Sequence, residues 1–219
     1  MQPYYRRDGI TIYLADCHDV LPTFDDNTFD MSANDAPYGV KAAEWDDEVP
    51  YDVLPMIRRV TIGTVTWFGA SPARVMMRDL NTFQNYSSKP DRLLIWAPKF
   101  TLSHTRANGI YFRWHPIYCW NIMSKHCGPQ WDILDVSTNT GRRWWKHPGT
   151  KPEKLMAQLL GFAISAPGQT AKVLDAFMGS GTTLVAAKLL GFHAVGIDFD
   201  EESCDIAAQR LDATERPAT

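Results

Sequence analysis

Four aspartates, Asp16, Asp35, Asp175 and Asp198, each end a short apolar run: "GITIYLAD", "FDMSAND", "AKVLD" and "HAVGID". Runs of this length, alternating with segments of helical period, read as strands of a parallel sheet. The carboxyl ends of such strands share one edge, and ligands bind in the crevice there. Four acids at comparable positions therefore predict one binding site along a common rim. The acid at 35 opens "DAPY", which reads either as an ordinary turn or as a clamp for something flat.

The acid at 175 leads into "FMGSGTT", residues 177–183. Gly179 and Gly181 can take backbone angles closed to other residues, and the helix that follows offers free N–H groups to an anion. A nucleotide-triphosphate loop needs lysine after its last glycine, where Thr182 stands; the dinucleotide fingerprint needs a third glycine, where Leu184 stands. What survives is a site for a small carboxylate or hydroxyl-bearing group beside a ribose, whose hydroxyls suit Asp198. S-adenosylmethionine has that shape.

The elements that must place these residues follow from periodicity. "LVAAKLLG" has helical spacing and ends with Gly191 in the position of a C-cap; "HAVGIDF" is the next strand, and "EESCDIAAQRL" a helix with acids in its first turn. Strand, turn, helix, strand, helix is a βαβ unit with a right-handed crossover. "CHDVLPTF" reads as a short helix or turn, "TVTWFGA" and "DRLLIWAP" as strands, and "SPARVMMRDL" as a helix with Ser71 as N-cap and Pro72 at its first position. "GIYFRWHPIYCWNIM" reads as a hairpin and 123–150 as an irregular loop, before "KPEKLMAQLLGFAI" restores a helix with Leu155, Leu159 and Phe162 on one face. The expected fold is α/β: a mostly parallel central sheet with helices on both faces.

With 219 residues and 45% hydrophobic content, a single domain over 1–219 is expected. No apolar run approaches the ~20 residues that span a bilayer, and "MQPYYRRDGI" lacks the apolar core of a signal peptide, so the expectation is a cytoplasmic protein without membrane contact. The cysteines Cys17, Cys119, Cys127 and Cys204 form no CxxC pair, which suits reduced thiols. His115, Cys119, His126 and Cys127 can be drawn as a zinc site, but their spacing matches no usual ligand pattern, so no metal is expected. Residues 87–151 hold ten Lys or Arg against Asp91, Asp132 and Asp135, a balance of +7; the rest of the chain, with twelve bases and 22 acids, stands at −10. Six of the eight tryptophans lie in the same basic stretch. Bases interleaved with aromatics suit a polyanion whose bases can stack, or else a half-buried hairpin with a solvated face.

"DAFMGSGTT" resembles the cofactor turn, written DPFxGSGTT, of the amino DNA methyltransferases that modify adenine N6 or cytosine N4. "WWKHPGTKP" is similar to that family's HPTxKP segment, and "YLADCHDVLPTFDDNTFDMSANDAPYGV" to its GDC through DPPY stretch. The order, catalytic motif before cofactor motif, resembles its β-class. The resemblance implies a methyltransferase fold with affinity for S-adenosylmethionine and an enzyme of EC class 2.1.1 that methylates the amino group of a flipped DNA base. Adenine N6 is preferred because the acid before Pro-Tyr is Asp. It further implies Asp35, Ala36, Pro37 and Tyr38 as the catalytic clamp. Asp16 and Cys17 would hold the cofactor's adenine, and Phe177, Gly179, Ser180, Gly181 and Thr182, after Asp175, its methionine portion. His147 and Lys151 would lie near its carboxylate, Asp198 at its ribose and Phe199 against its adenine. His18, His104 and His193 have no partner pattern and read as structural or surface residues. The stretch 99–150 is expected to hold a small DNA reader, with Arg142, Arg143, Trp144 and Trp145 in backbone contact and base stacking. So small a reader suits a short site, loose specificity, single-stranded rather than double-stranded DNA, or a homodimer. The implied setting is a bacterial or phage-infected cell.

Two positions depart from the family pattern: Ala36 and Ala176 stand where proline is expected. Alanine presents the same carbonyl, so the loss is pre-set geometry, about 0.4 to 1 kcal/mol of order in the loop. Ala36→Pro should therefore raise activity. Two rival readings remain: a nicotinamide-dependent oxidoreductase, which needs a third glycine and a His or Tyr-Lys proton relay, and a catalytically silent module that grips nucleic acid. Cytosine N4 remains the alternative target.

Overall fold

The computed structural model describes residues 1–41, 46–71, 73–98, 106–107, 110–111, 114–122, 132–137, 150–166 and 168–217. The elements, in chain order, are β1 (Tyr5–Arg7), β2 (Ile10–Leu14), α1 (Cys17–Val20), β3 (Met31–Asn34), α2 (Leu54–Val60), β4 (Val65–Phe68), α3 (Ala73–Tyr86), β5 (Arg92–Trp96), β6 (Arg106–Ala107), β7 (Ile110–Tyr111), β8 (His115–Trp120), β9 (Ile133–Leu134), α4 (Glu153–Leu160), β10 (Lys172–Asp175), α5 (Thr182–Leu189), β11 (His193–Asp198) and α6 (Glu201–Asp212). The main sheet runs β1-β2-β11-β10-β3-β4-β8-β5-β9, and β6 pairs with β7 apart from it. From β2 to β4 every pairing is parallel, so the carboxyl ends of β2, β11, β10, β3 and β4 meet at one edge. All four aspartates lie at that edge.

Beyond β4 the pattern changes. β8 is inserted antiparallel between β4 and β5, and β9 adds to β5 in parallel. The hairpin expected over 109–123 is thus replaced by a central strand at 115–120, preceded by the short β6–β7 pair. The reason is burial on both faces: Pro116 through Trp120 are all buried, so the strand is a continuous apolar run whose alternation gives no hint of its neighbours. Within 99–150, therefore, 115–120 belongs to the sheet.

The sheet separates two cores. On one face, α4, α5 and α6 supply Leu155, Leu159, Leu184, Cys204 and Leu211, packed on Ile12, Met31 and Val173. On the other, α1, α2 and α3 supply Val20, Leu54, Ile57 and Phe83, packed on Val65, Trp67, Leu174 and Ile197. Successive residues of β10, Val173 and Leu174, enter opposite cores, as the two-residue strand period requires. Leu155, Leu159 and Phe162 share the first core as expected.

The helix ends follow from local chemistry. Gly191, at φ +75°, ends α5 in the left-handed conformation a C-cap needs. Asp200 caps α6 by accepting from Ser203 N at 2.9 Å. The Ser71 hydroxyl donates to the carbonyl of Trp114 and so ties the start of α3 to the approach to β8; Pro72 lies outside the described residues. β1 is fastened to α6, with Tyr5 Oη and Arg7 Nη1 both donating to Asp212 Oδ1, at 3.0 and 3.1 Å. No helix among the described residues is long and apolar enough to cross a membrane.

Candidate active site

At the end of β3, Asn34 is fully buried and ties three strands together. Its amide nitrogen donates to Ser32 Oγ (3.2 Å) and to the Thr66 carbonyl on β4 (3.0 Å), while its Oδ1 accepts from Ala176 N just past β10 (3.3 Å). The "DAPY" and "DAF" turns are thereby set side by side.

Asp35 follows at once. Tyr38 Oη donates to its Oδ1 at 2.6 Å, and the Lys151 ammonium donates to its Oδ2. Burial drives the Tyr38 hydroxyl well above its usual range, so it acts as a donor. The Lys151 ammonium also lies 5.5 Å from the centre of the Tyr38 ring and 5.2 Å from that of Phe68. Past Tyr38 the main chain is gripped from both sides. Asp46 accepts from the N–H groups of Tyr38, Gly39 and Val40, and Arg78 of α3 donates to the carbonyls of Tyr38 and Gly39.

The glycine turn is shaped by two positive-φ residues, Gly179 (+47°) and Gly181 (+75°). Gly179 N donates to Asp198 Oδ2 at 2.8 Å, and Asp200 N to Asp198 Oδ1 at 3.0 Å. A Cβ on Gly181 would stand 2.7 Å from the Ala207 Cβ, so glycine lets α5 and α6 close on each other. Arg210, buried on α6, donates to the Ser180 carbonyl, to Ser180 Oγ (3.0 Å), to Thr182 Oγ1 (3.1 Å) and to Glu153 on α4 (3.0 Å). Thr150 Oγ1 and Ser180 Oγ share a hydrogen bond of 3.2 Å. Thr150 and Lys151 thus touch both halves of the site.

One cavity of about 420 Å³ runs along the rim. Its lining includes Asp35, Ala36, Pro37, Tyr38 and Lys151, then Asp175, Phe177, Gly179, Ser180 and Thr182 of the second turn, and Asp16, Cys17, Asp198 and Phe199. Gly181 shapes the turn from behind without lining the cavity. His147, Arg142, Arg143, Trp144 and Trp145 lie outside the described residues, as do His104, His126 and Cys127.

Carboxylates dominate the electrostatics. Asp175 is 3% exposed, and burial pushes its carboxyl up to about 7, helped by the charges of Asp35 and Asp198, although the Thr183 hydroxyl and Phe177 N–H pull the other way. Asp16 caps α1 by accepting from His18 N at 2.8 Å, which holds its carboxyl below the usual range. His18 is no isolated surface residue: it lines the cavity and bridges Asp16 Oδ1 (2.8 Å) and Asp52 Oδ2 (2.9 Å), and these two carboxylates raise its pKa, Asp52 most. Sequence reading misses that bridge because Asp52 lies 34 residues away. Asp16, Cys17 and His18 also cluster within 4.8 Å, and burial pushes the Cys17 thiol up to about 12. Asn34, Arg78 and Arg210 are likewise missed, since each acts through a partner distant in sequence, and so is Asp46, whose partners lie six to eight residues away but in no motif.

The arrangement offers a fixed acceptor at Asp35 beside a glycine-turned pocket of mostly apolar surface edged by carboxylates, suited to a ligand that is cationic at one point and flat or apolar elsewhere. Known proteins share this frame. Among solved structures, M1.HpyAVI in complex with SAM superposes with a TM-score of 0.65 at 20% identity, over 93% of this chain and 99% of that one. PvuII DNA methyltransferase (cytosine-N4-specific) superposes with a TM-score of 0.76 at 14% identity, over 95% and 88%. In sequence, the Type II methyltransferase M2.DpnII of Streptococcus pneumoniae is 43% identical over 68 residues, 31% of this chain and 24% of that protein. M2.LlaDCHI of Lactococcus lactis subsp. cremoris is 28% identical over 155 residues, 68% of this chain and 50% of that protein. The chain spans half or less of the length of these curated relatives. A family model described as DNA methylase, covering N6 and N4 methyltransferases, matches residues 76–209, more than half of the sequence. The chain belongs to the N6/N4 DNA methylase family.

Proposed function

We propose that this chain moves a methyl group from S-adenosylmethionine to the exocyclic amino group of a flipped DNA base, adenine N6 in preference. The observation that carries the reading is the shared cavity: the Asp35–Tyr38 turn and the Phe177–Thr182 turn, on the paired strands β3 and β10, open into the same space. The pocket fits the donor. The carboxylates of Asp16, Asp35, Asp175 and Asp198 suit its cationic groups and its hydroxyls, and Gly179 lets it approach the main chain closely. Family membership and a fold shared with M1.HpyAVI, solved with SAM, support the same donor.

When bound, the donor supplies a methyl on a sulfonium; the carbon–sulfur bond breaks as the carbon–nitrogen bond forms, and its electron pair stays on sulfur. The residues supply placement. An aromatic amine is a poor nucleophile because its lone pair is delocalised into the ring. The Asp35 carboxylate and the Ala36 carbonyl accept its two N–H bonds, turn the nitrogen toward a tetrahedral shape and aim the lone pair at the methyl. Asp35 then takes the proton released from nitrogen, directly or through water. The Tyr38 ring offers a stacking face for the extruded base. Lys151, over that ring and on the Asp35 carboxylate, must shift for the base to enter.

The test is tritiated methyl transfer to unmethylated DNA, single-stranded and double-stranded, followed by digestion to nucleosides. N6-methyladenine as the product supports the reading; no transfer with donor binding intact favours a silent module. The cytosine-N4 reading is favoured by the fold shared with the PvuII enzyme and predicts N4-methylcytosine instead. Within the basic stretch 87–151, Trp96 and Trp120 are buried in the sheet, so the proposed DNA contacts narrow to Arg142, Arg143, Trp144 and Trp145. A single domain, the β-class order of motifs, a dimer on DNA and a restriction-modification role complete the proposal.

A further inference from the structure

The turn that presents Asp35 has alanine at 36, and the main chain just beyond it is hydrogen-bonded by two side chains, Asp46 on its N–H groups and Arg78 on its carbonyls. On the N–H side stands Asp46, 1% exposed, accepting from Tyr38 N at 2.5 Å, Gly39 N at 2.8 Å and Val40 N at 3.3 Å. Gly39, at φ +61°, turns these successive N–H groups inward, the concave arrangement that binds an anion. Here the anion is supplied in cis. On the carbonyl side Arg78 donates to Tyr38 O at 2.7 Å and to Gly39 O at 3.4 Å. Arg78 is itself fixed on buried Asp79, at 3.0 Å from Nε and 2.8 Å from Nη2, and Asp79 also accepts from the hydroxyls of Tyr51 and Tyr118. Tyr118 is on β8 and Arg78 on α3, so the turn is referenced to the sheet and to a helix together.

We infer that Asp46 and Arg78 are positioning residues that give the Asp35–Tyr38 turn the order a proline at 36 would otherwise give it. Neither touches the reacting atoms; both act through the backbone that aims Asp35 and the Ala36 carbonyl. The kinetic part of this inference rests on the proposed methyl transfer, whereas the backbone part does not.

The experiment compares Asp46→Asn, Arg78→Gln, Ala36→Pro and the Asp46→Asn/Ala36→Pro pair. Three quantities are read: single-turnover methyl transfer to DNA, S-adenosylmethionine affinity by titration calorimetry, and amide hydrogen exchange across 36–41. Asp46→Asn should slow transfer by ~10- to 100-fold, the scale of a misplaced catalytic group, and leave donor affinity within about threefold. Exchange at the amides of Tyr38, Gly39 and Val40 should quicken by about tenfold or more once their acceptor is weakened. Ala36→Pro should restore roughly fivefold or more of the lost rate, against about twofold gained in the otherwise native protein, because order already present cannot be added again. Arg78→Gln, at a side chain 36% exposed, carries the same test should Asp46→Asn fail to fold. Equal gains from proline in both backgrounds, or unchanged exchange at these amides in both variants, would overturn the inference. A native protein that transfers no methyl group to DNA defeats the proposed function instead, and amide exchange then decides this inference alone.

Discussion

The Lys151 ammonium donates to the Asp35 carboxylate across 116 residues of sequence, and Tyr38 Oη occupies the other carboxylate oxygen. The group proposed to receive the amine is thus already hydrogen-bonded on both oxygens. In the proposed reaction an incoming base would exchange partners at Asp35 instead of filling an empty acceptor, and the existing bonds limit the cost of holding a partly buried carboxylate.

Asp35→Asn keeps the shape and removes the charge. Methyl transfer should fall by ~10²- to 10³-fold, the usual effect of losing one placed electrostatic contact. Donor affinity should change by only a few-fold. Single-turnover assays with titration calorimetry check both.

Asp175 predicts a pH dependence with a definite sign. Its carboxyl is raised from 3.8 to about 7 by burial, so the folded protein holds this proton more tightly than the unfolded chain does. Stability contributed at this site therefore falls as pH rises from about 4 to about 7, and the loss is complete above that range. Asp175→Asn, which keeps an acceptor for the Phe177 N–H, should raise the unfolding midpoint at pH 8 more than at pH 5. Thermal melts of both proteins across that range measure the difference.

Gly181→Ala meets two penalties, a left-handed φ of +75° and a Cβ 2.7 Å from that of Ala207. Together they should cost ~2–4 kcal/mol in denaturant unfolding. Adding Ala207→Gly should recover only part of the steric cost and adds a glycine inside α6, leaving about 2 kcal/mol of backbone strain and helix cost.

Arg210→Met removes a buried guanidinium that holds the glycine turn and leaves Glu153 without that partner. A loss of ~3–5 kcal/mol is expected for breaking a buried charged network from one side. S-adenosylmethionine affinity should fall as well, since the Ser180 carbonyl and hydroxyl lose their anchor. Chemical denaturation and calorimetry separate the two effects.

Much of the rim is readable from the sequence because each of its parts is local. An acid after an apolar run, or two glycines before a helix, carries its meaning within a few residues, and Asp16, Asp35, Asp175 and Asp198 all fall on the same edge of the sheet. The supports are not readable, because Asp46, Arg78, Asn34 and Arg210 are ordinary polar residues until the fold supplies their partners. β8 escapes for a different reason: a strand buried on both faces has no polar side with which to announce itself.

The contacts of Tyr5 and Arg7 with Asp212 bring the first strand against the last helix. The outermost strand and the helix beneath it are thus coupled, so that fraying of one loosens the other.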